Sequence, residues 1–428
     1  MINEPISLEK KPEDFQPNSH FHRIAQNAAY GCRRSRGIGY YDAQVDKTFF
    51  CWNGEGMDVW TGEYNHKTGQ FGENHLVVVN NMKGKWDYHN YPMMVQAPDG
   101  SPLIFYNSHG QEMHLLKGQP HSVTDEFELK TISTDLNCYP YAVTAGEDVY
   151  VFYSHNDDLS YPWRSLRYLK SSDSGKTWEG PTVIVDSQKS DPGKFDEVYM
   201  CDARYLERCG NYPPRIQFTW SMWGGVRHAS QGQGAFCAYM SLEDHKIYSP
   251  AGKCMTELLH YDDMMEQCLV SLVPSMEQIR HTAHMVVSTA QPLTGEPLVV
   301  IGGYTEEAKS GIWCYRFNGV SWDVDQIEEG TPSLKDLSYD SETGDIMICY
   351  FMGRYAVTRR YDGGKWTRQE MAEIPLENGT DGIPYLNFIE PHKPELFGFV
   401  ATVELEQRNS NYEGIWPVYV WVKPPIES

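Results

Sequence analysis

The sequence of 428 residues has no C-x-x-C pair, no apolar stretch of transmembrane length and little helical periodicity. The missing cysteine pairs argue against zinc ribbons and thioredoxin-type redox sites, and the missing apolar stretch argues against a membrane-spanning helix. The ten cysteines are scattered, so we expect most of them to pack as small apolar groups rather than to form a disulfide framework. The spacing would allow a local bridge between Cys201 and Cys209.

Basic residues are also few, since 36 Lys and Arg face 58 Asp and Glu for a net charge of −22. Such a surface repels nucleic acids and anionic membranes, so neither is expected as a partner. An acidic ligand would need a locally basic cleft. The first fifteen residues are polar and contain no apolar signal-peptide core. We expect a secreted or periplasmic protein whose signal peptide is not part of this sequence, with a cytoplasmic protein as the alternative.

One sequence pattern occurs twice, about 48 residues apart. His-Asn-Tyr-Pro at 89–92, followed by Phe-Tyr-Asn-Ser-His at 105–109, returns as Cys-Tyr-Pro at 138–140 and Phe-Tyr-Ser-His at 152–155. A period of this length that holds strands and tight turns is typical of a β-propeller blade. The 28 Tyr, 12 Trp, 36 Gly and 25 Pro support an all-β chain with many turns.

Seven hairpins of this kind can be followed along the chain. Their bounds are 37–53, 89–110, 138–155, 200–222, 281–303, 333–353 and 381–402. The sequence therefore predicts an all-β, seven-bladed β-propeller with four-stranded antiparallel blades, formed as a single domain over residues 1–428. Residues 1–30 are interpreted as an N-terminal arm that closes the ring with the last blade, where 418–422 supply a terminal strand.

The segment Ser-Ser-Asp-Ser-Gly-Lys-Thr-Trp at 171–178 fits S-x-D-x-G-x-T-W, the Asp box of sialidase-type propellers. The Asp, Ser and Thr side chains can close the turn, and the Gly can take a positive φ. The motif is specific for a propeller and carries no chemistry.

Histidines and a tyrosine fall at the ends of predicted neighbouring strands. His89 opens an inner strand and His109 closes the next, so the hairpin brings both to one face. Tyr153 and His155 occupy the position equivalent to His109 one blade further on. A single histidine at such a place is more often a structural residue, but convergent titratable groups in a concavity mark a site.

Arg164 and Arg167 follow on the next strand, and the set of His, Tyr and Arg side chains suits β-elimination on a uronic acid. A cation neutralises the uronate carboxylate, a base removes the C5 proton, and a second group protonates the departing O4. Glycoside hydrolysis would need a carboxylate pair that the strand ends do not offer. The three arginines and the Tyr–Glu couple of a sialidase cannot be assigned either.

The segment 87–110 resembles the bacterial-neuraminidase-repeat (BNR) family of seven-bladed polysaccharide lyases, which includes ulvan lyases and rhamnose–glucuronate lyases. The resemblance extends over residues 84–252. It implies cleavage of a rhamnose-(1→4)-glucuronate linkage by β-elimination, which leaves a 4,5-unsaturated uronate. It places His89 and His109 in the catalytic centre and matches Tyr153 to the acid/base tyrosine. Arg167 is the catalytic arginine we favour as the carboxylate neutraliser, and Arg164 is the alternative.

Further residues are candidates for substrate binding, namely Arg164, His155, Arg204, Arg227, His228 and Trp163. The expected partner is an acidic polysaccharide or oligosaccharide that contains glucuronate, bound by a monomer. The chemistry requires no cofactor. Some family members hold a structural divalent metal, for which His281, His284 and Cys314 are conceivable ligands. Residues three apart on a strand point to opposite faces, so ordinary packing is favoured there.

Two other functions are kept as alternatives. One is a sialidase-like glycoside hydrolase, and the other is a non-catalytic carbohydrate-binding propeller. A propeller fold serves all three functions, so the fold does not decide between them.

Overall fold

The computed structural model describes most of the chain. The described ranges are 17–30, 37–80, 90–106, 109–156, 164–186, 197–223, 233–255, 258–273, 285–291, 294–304, 309–330, 333–339, 343, 345–353, 355–373, 385–389, 396–401 and 416–422. Several residues of the sequence predictions lie outside them, namely His89, Trp163, Arg227, His228, His281 and His284.

The chain divides into two compact units. Unit 1 comprises residues 1–107, 114–131 and 332–428, and unit 2 comprises 108–113 and 132–331. The boundary falls within the two strands β9 (His109–Lys117) and β10 (Glu128–Ala145). The predictions of a single domain and of seven blades stay predictions.

Unit 1 contains antiparallel sheets built from consecutive strands. Its other strands are β1 His20–Tyr30, β2 Gly39–Asp42, β3 Lys47–Gly54, β4 Val59–Asn65, β5 Gln70–Phe71, β6 His75–Val78, β7 Met93–Gln96, β8 Pro102–Tyr106, β23 Ser333–Tyr339, β24 Ile346–Met352, β25 Tyr355–Tyr361, β26 Trp366–Glu373, β27 Tyr385–Asn387, β28 Leu396–Ala401 and β29 Trp416–Val422. A 3₁₀ turn spans Glu55–Met57. One sheet has the order β27-β28-β29-β1-β3-β4-β5, another has β23 to β26 in sequence, and β7, β8 and β9 pair in order.

Unit 2 is also built from antiparallel strands. Its elements besides parts of β9 and β10 are β11 Asp148–Asn156, β12 Arg164–Ser171, β13 Glu179–Val185, β14 Glu197–Leu206, β15 Arg215–Trp223, β16 Gln233–Ser241, β17 Ile247–Tyr248, α1 Tyr261–Gln267, β18 Leu269–Val273, β19 Met285–Ala290, β20 Pro297–Tyr304, β21 Ser310–Phe317 and β22 Trp322–Glu329. The sheets are β10 to β13, β14 to β16 with β17 and β18 on β16, and β19 to β22.

All seven predicted hairpins are present as antiparallel strand pairs. The pairs are β2–β3, β7–β8, β10–β11, β14–β15, β19–β20, β23–β24 and β27–β28. Tight turns join several of them, and Gly100 and Gly295 adopt φ of 84° and 74°, which glycine reaches without a steric penalty. The arm strand β1 pairs with β29, with His20 opposite Val422.

The inward faces of the strands bury aliphatic and aromatic side chains. In unit 1 one cluster includes Phe49, Val59, Ile104 and Leu116, and in unit 2 another includes Val286, Val299 and Ile301 with Trp313. Alternation along each strand sends every second side chain into such a layer. This side-chain packing holds the sheets, and therefore the ends of their strands, in fixed positions.

The turn at 171–178 has the geometry expected from its sequence. The Asp173 carboxylate accepts hydrogen bonds from the Thr177 backbone N–H at 2.8 Å and from its hydroxyl at 2.6 Å. The Ser171 hydroxyl accepts the Gly175 N–H at 2.8 Å, and Gly175 takes φ 83°. The hydrogen bonds from Thr177 lower the pKa of Asp173 to about 2. The turn is thus held by hydrogen bonds among its own residues.

The bridge between Cys201 and Cys209 that the spacing would allow is not formed, and both thiols are free. Cys201 is buried in β14, where its thiol approaches the Ser221 hydroxyl. Cys209 lies in the following loop, where it pairs through its backbone with Tyr212. In the part of the chain that the structure describes, no helix is long and apolar enough to span a bilayer.

Candidate active site

Predicted site residues of unit 2 meet at one end of the β10–β13 sheet. The antiparallel register places Tyr153 opposite Arg167, and the neighbouring residues pair as His155 with Ser165 and Asn156 with Arg164. His109 belongs to the same unit. The prediction that His109 closes a strand is wrong: β8 ends at Tyr106, and His109 begins β9.

The two arginines of β12 project to opposite faces of the sheet. Arg164 and Arg167 are three residues apart, and side chains alternate along a strand. Arg167 shares a face with Tyr153, its partner in the register, whereas Arg164 shares the face of Ser154 and Phe152. The end of this sheet therefore has two different clusters, one on each face.

The Tyr153 cluster consists of Ser133, Asp135, Tyr153, Ser165 and Arg167. The Tyr153 hydroxyl donates to Asp135 Oδ2 at 3.2 Å, and Arg167 Nη1 donates to the same oxygen at 3.4 Å. Arg167 Nε donates to the Ser165 hydroxyl at 3.1 Å. One carboxylate thus holds both the phenol and the guanidinium.

Tyr153 is fully buried in this cluster. Burial raises the pKa of Tyr153, and the adjacent Asp135 carboxylate raises it further, while Ser133 and Arg167 act in the opposite direction. The phenol is therefore protonated at physiological pH and can donate a hydrogen bond or a proton.

The Arg164 cluster consists of His109, Tyr139, Arg164 and Tyr199. The Arg164 guanidinium lies over the Tyr199 ring at 4.6 Å and over the Tyr139 ring at 5.6 Å from the centroids. The His109 ring lies 5.6 Å from the Tyr139 ring, and the two tyrosine rings are 5.6 Å apart. Aromatic faces stabilise a cation at such distances. The imidazole and the guanidinium thus flank the same tyrosine.

Tyr139 sits on an irregular backbone. The β10–β11 register shifts between Cys138 and Tyr141, so Tyr139 and Pro140 form a bulge. Tyr139 adopts φ 57°, which is rare for a bulky residue, and such strained residues cluster at functional sites. From the bulge, the Tyr139 ring contacts both His109 and Arg164.

The two clusters differ in what they can do chemically. In the Arg164 cluster, the partly exposed His109 can accept a proton, and the guanidinium can bind a carboxylate. In the Tyr153 cluster, the guanidinium of Arg167 is already paired with Asp135.

The other predicted residues are placed as follows. His155 is partly buried and follows Tyr153 by two positions, so it shares the face of the Tyr153 cluster. Arg204 is only 2% exposed and lies 3.7 Å from Asp202. It is five residues beyond Tyr199 on β14, about 15 Å along the strand, so the structure does not bring it to either cluster. His89, Trp163, Arg227 and His228 lie outside the described residues.

Five residues of the clusters were missed by the sequence reasoning: Ser133, Asp135, Tyr139, Ser165 and Tyr199. Tyr139 lies inside the repeated Cys-Tyr-Pro phrase, where a proline after a tyrosine in a strand signals a bulge. Asp135 precedes that phrase by three residues in an otherwise polar stretch, and no sequence pattern distinguishes it from other surface acids. Tyr199 is separated from Tyr139 by sixty residues and could be found only from the fold.

Among the described residues, no group of three or more His, Cys, Asp and Glu side chains could hold a metal ion. Cys314, one of the three conceivable ligands, is fully buried in β21. The other two, His281 and His284, are not among the described residues.

Comparison with known proteins identifies the class. A model of the BNR repeat-containing family matches residues 47–329, about two thirds of the sequence, and the chain belongs to this family. The predicted resemblance to ulvan lyases is also confirmed. An ulvan lyase of Pseudoalteromonas sp. (strain PLSV) is 24% identical over 213 residues, which cover 43% of this chain and 42% of that relative. The matched region thus spans less than half of the relative's length.

Solved structures extend the likeness to nearly the whole chain. The structure of a polysaccharide lyase PL25 ulvan lyase, bound to -[GlcA(1-4)Rha3S]-, superimposes with a TM-score of 0.71 at 16% identity and covers 94% of this chain and 96% of that one. The polysaccharide lyase Uly1 gives a TM-score of 0.56 at 12% identity, with 99% and 95% covered. The chain is therefore all-β with the fold of ulvan lyase, a propeller.

Proposed function

We propose that the protein is a polysaccharide lyase that cleaves a rhamnose-(1→4)-glucuronate linkage by β-elimination and leaves a 4,5-unsaturated uronate. The ulvan lyase whose fold it shares was solved with a glycan of this type. The proposed substrate is an acidic, glucuronate-containing polysaccharide or oligosaccharide.

The observation that carries the proposal is that His109 and Arg164 both lie 5.6 Å from the Tyr139 ring. In a uronate the acidic C5–H is adjacent to the carboxylate, so a base and a cation must act on neighbouring atoms of one sugar residue. Neutralising the carboxylate stabilises the negative charge that develops as the proton leaves. The Arg164 cluster supplies both groups at one end of the sheet, with the His109 imidazole as the base and the Arg164 guanidinium as the cation.

Arg164 is the better candidate for the neutralising arginine, although we favoured Arg167 from the sequence. Arg167 is 3.4 Å from Asp135, so a substrate carboxylate would have to compete with a carboxylate of the protein. Arg164 is 9% exposed and lies against the ring faces of Tyr139 and Tyr199, and we propose that the edge of its guanidinium binds the substrate carboxylate.

The proton transfers are assigned from exposure and protonation state. His109, which is partly exposed, is proposed to remove the C5 proton as general base. The electron pair forms the C4=C5 bond, the C4–O4 bond breaks, and the departing O4 takes up a proton. Because Tyr153 is fully buried on the opposite face of the sheet from Arg164, we propose His89, rather than Tyr153, for this second transfer.

The test is an incubation with glucuronate–rhamnose polysaccharide. A lyase creates a conjugated C4=C5 double bond, so ultraviolet absorbance rises together with the number of new chain ends. No rise in absorbance, with or without new reducing ends, would refute the lyase.

A glycoside hydrolase is the second candidate, because the Tyr153–Asp135 pair has the composition of a tyrosine nucleophile with a carboxylate partner. Burial of Tyr153 and its raised pKa argue against that role, since a nucleophile must be exposed and readily deprotonated. A hydrolase would release reducing ends without a rise in absorbance, and a binding propeller would do neither.

We further propose that the chain forms a propeller of seven blades and that it is a monomer. We also propose that it acts outside the cytoplasm, because a polymeric glycan is degraded there. Light scattering would test the monomer, and fractionation of the native host would test the location. Dimers in dilute solution, or protein confined to the cytoplasm, would contradict these two proposals.

A further inference from the structure

A cavity of about 860 Å³ lies in unit 2, between the β14–β17 sheet and the β19–β22 sheet. It is lined by loops at the ends of strands, among them Arg208 and residues 210–213 after β14, and Thr294 and Glu296 before β20. The candidate active site lies near Tyr199, at the other end of β14. From Tyr199, β14 runs seven more residues to its end at Leu206, about 23 Å along the strand, before the loop that lines the cavity. The cavity is therefore distinct from the candidate active site.

The walls of the cavity are held by backbone contacts that require glycine. Gly210 and Gly295 have φ of 57° and 74°, and a Cβ on either would collide with the carbonyl oxygen of Thr294 or Cys209, respectively. The buried Arg215 donates from Nη2 to the Gly295 carbonyl at 2.5 Å. The two sheets are thus joined at the cavity in a fixed arrangement, so the cavity does not have to form when a ligand binds.

Tyrosine rings form one side of the cavity. Tyr239 and Tyr248 are stacked, with centroids 5.3 Å apart and planes inclined by 8°, and Tyr212 meets Tyr239 edge-on at 5.7 Å. Arg215 lies on the rings of Tyr212 and Tyr239. Tyr248 is more exposed than Tyr239, so it is the ring best placed to stack on a ligand.

Carboxylates dominate the polar lining. Glu243, Asp244 and Glu296 face the cavity together with one cation, Arg208, which forms an ion pair with Glu243. Asp244 accepts the Tyr248 hydroxyl at 2.8 Å, which fixes the orientation of that ring. Outside the lining, Lys246 acts electrostatically on Asp244, and the buried Arg215 lies on the rings of Tyr212 and Tyr239. Three carboxylates against one cation make the lining itself acidic, so it disfavours uronates and sulfate esters, while its carboxylates can accept hydrogen bonds from hydroxyl groups.

We propose that this cavity is a second carbohydrate-binding site that takes an uncharged sugar residue. Tyr248 would stack on the apolar face of the ring, and Asp244 and Glu296 would accept its hydroxyl groups. The volume lies within the range of cavities that bind small ligands. The proposal does not depend on lyase activity, since it concerns a separate cavity with the opposite preference for charge.

Ligand-observed NMR with two matched probes, methyl α-glucopyranoside and methyl α-glucuronopyranoside, tests the proposal on the full chain. The probes differ only at C6, where the second carries a carboxylate. We expect the glucoside to bind with a dissociation constant of about 1 mM, typical of a weak single-residue site. Tyr248→Ala should weaken it ~10-fold through loss of stacking, and Arg164→Ala should leave it unchanged.

Binding of the glucuronide should be weakened by Arg164→Ala and unchanged by Tyr248→Ala, because we expect this probe at the Arg164 cluster and not in the cavity. Tyr248→Phe, which keeps the ring, should retain glucoside binding and serves as the folding control. Glu296→Gln removes one charge and should allow the glucuronide into the cavity. Undetectable glucoside binding, or binding unaffected by Tyr248→Ala in a folded variant, would overturn the proposal. Loss of glucuronide binding alone would count against the lyase site and leave the cavity proposal standing.

Discussion

The two faces of the β10–β13 sheet carry arginines in contrasting surroundings. Arg167 lies 3.4 Å from Asp135 and bonds Ser165, whereas Arg164 lies against the rings of Tyr139 and Tyr199. Both arginines are on one strand, three residues apart. Whether the charge of each is available to a ligand depends on the groups that surround it.

The energetic consequence favours Arg164 for binding a carboxylate. A hydrogen bond to a charged group contributes about 1.5–3 kcal/mol, so a ligand that displaces Asp135 from Arg167 gives up part of its own binding energy. Stacking on a ring contributes about 0.5–2 kcal/mol and is retained when the guanidinium edge binds a ligand. The Tyr153 cluster is therefore suited to holding a phenol in place, and the Arg164 cluster to receiving an anion.

The largest expected effect is the loss of the base in the Arg164 cluster. His109→Ala should lower kcat for elimination by ~10³-fold, within the range for general acid–base groups. The measurement is the initial rate of ultraviolet absorbance, and thermal unfolding serves as the folding control. Activity that survives this change in a folded variant would show that the base lies elsewhere.

The two arginines give the next largest effect and the most direct test of the comparison. Arg164→Ala should lower kcat/KM by ~10²-fold, because it removes the cation that neutralises the uronate. Arg167→Ala should lower kcat/KM by ~10-fold or less, since Arg167 acts through Asp135 and Tyr153.

Arg164→Lys is the matched control, because it keeps the charge but loses the planar fork that can bind a carboxylate through two hydrogen bonds. A larger loss from Arg167→Ala than from Arg164→Ala would reverse the assignment of the two clusters.

Asp135→Asn should have a smaller effect on rate but change the titration of Tyr153. The Asp135 carboxylate adds to the burial-driven rise in the pKa of Tyr153, so a neutral amide should lower that pKa. Tyrosinate absorbance, compared with that of Tyr153→Phe, should show this titration at lower pH. Because Tyr153 is buried on the opposite face of the sheet from Arg164, the pH dependence of kcat should not follow that shift. An alkaline limb of kcat that moves together with the tyrosinate titration would show that Tyr153 takes part in the proton transfer.

Tyr199 gives the smallest expected effect. Tyr199→Ala removes the ring that lies 4.6 Å from Arg164 and should raise KM ~5-fold with little change in kcat. Tyr199→Phe retains the ring face and should behave like the wild type. Equal increases in KM for the two substitutions would indicate that the hydroxyl group of Tyr199, rather than its ring, supports substrate binding.

The local structure was predictable because it depends on short-range patterns. Alternating strands, the turn at 171–178 and all seven hairpins follow from periodicity and from turn residues that are close in sequence. The strand to which His109 belongs did not follow from short-range patterns, since the two residues between Tyr106 and His109 decide whether it ends one strand or begins the next.

The sequence by itself determined the β-class, the hairpins and the residue types of the site, because these follow from side-chain alternation and turn chemistry. Only the tertiary structure decided which arginine contacts Tyr139 together with His109 and which lies beside Tyr153. A one-residue difference in register exchanges the faces of a strand, and the bulge at Tyr139 changes the register locally. Asp135 and Tyr199 also joined the site only on folding, since long-range packing brings together residues that no short pattern connects.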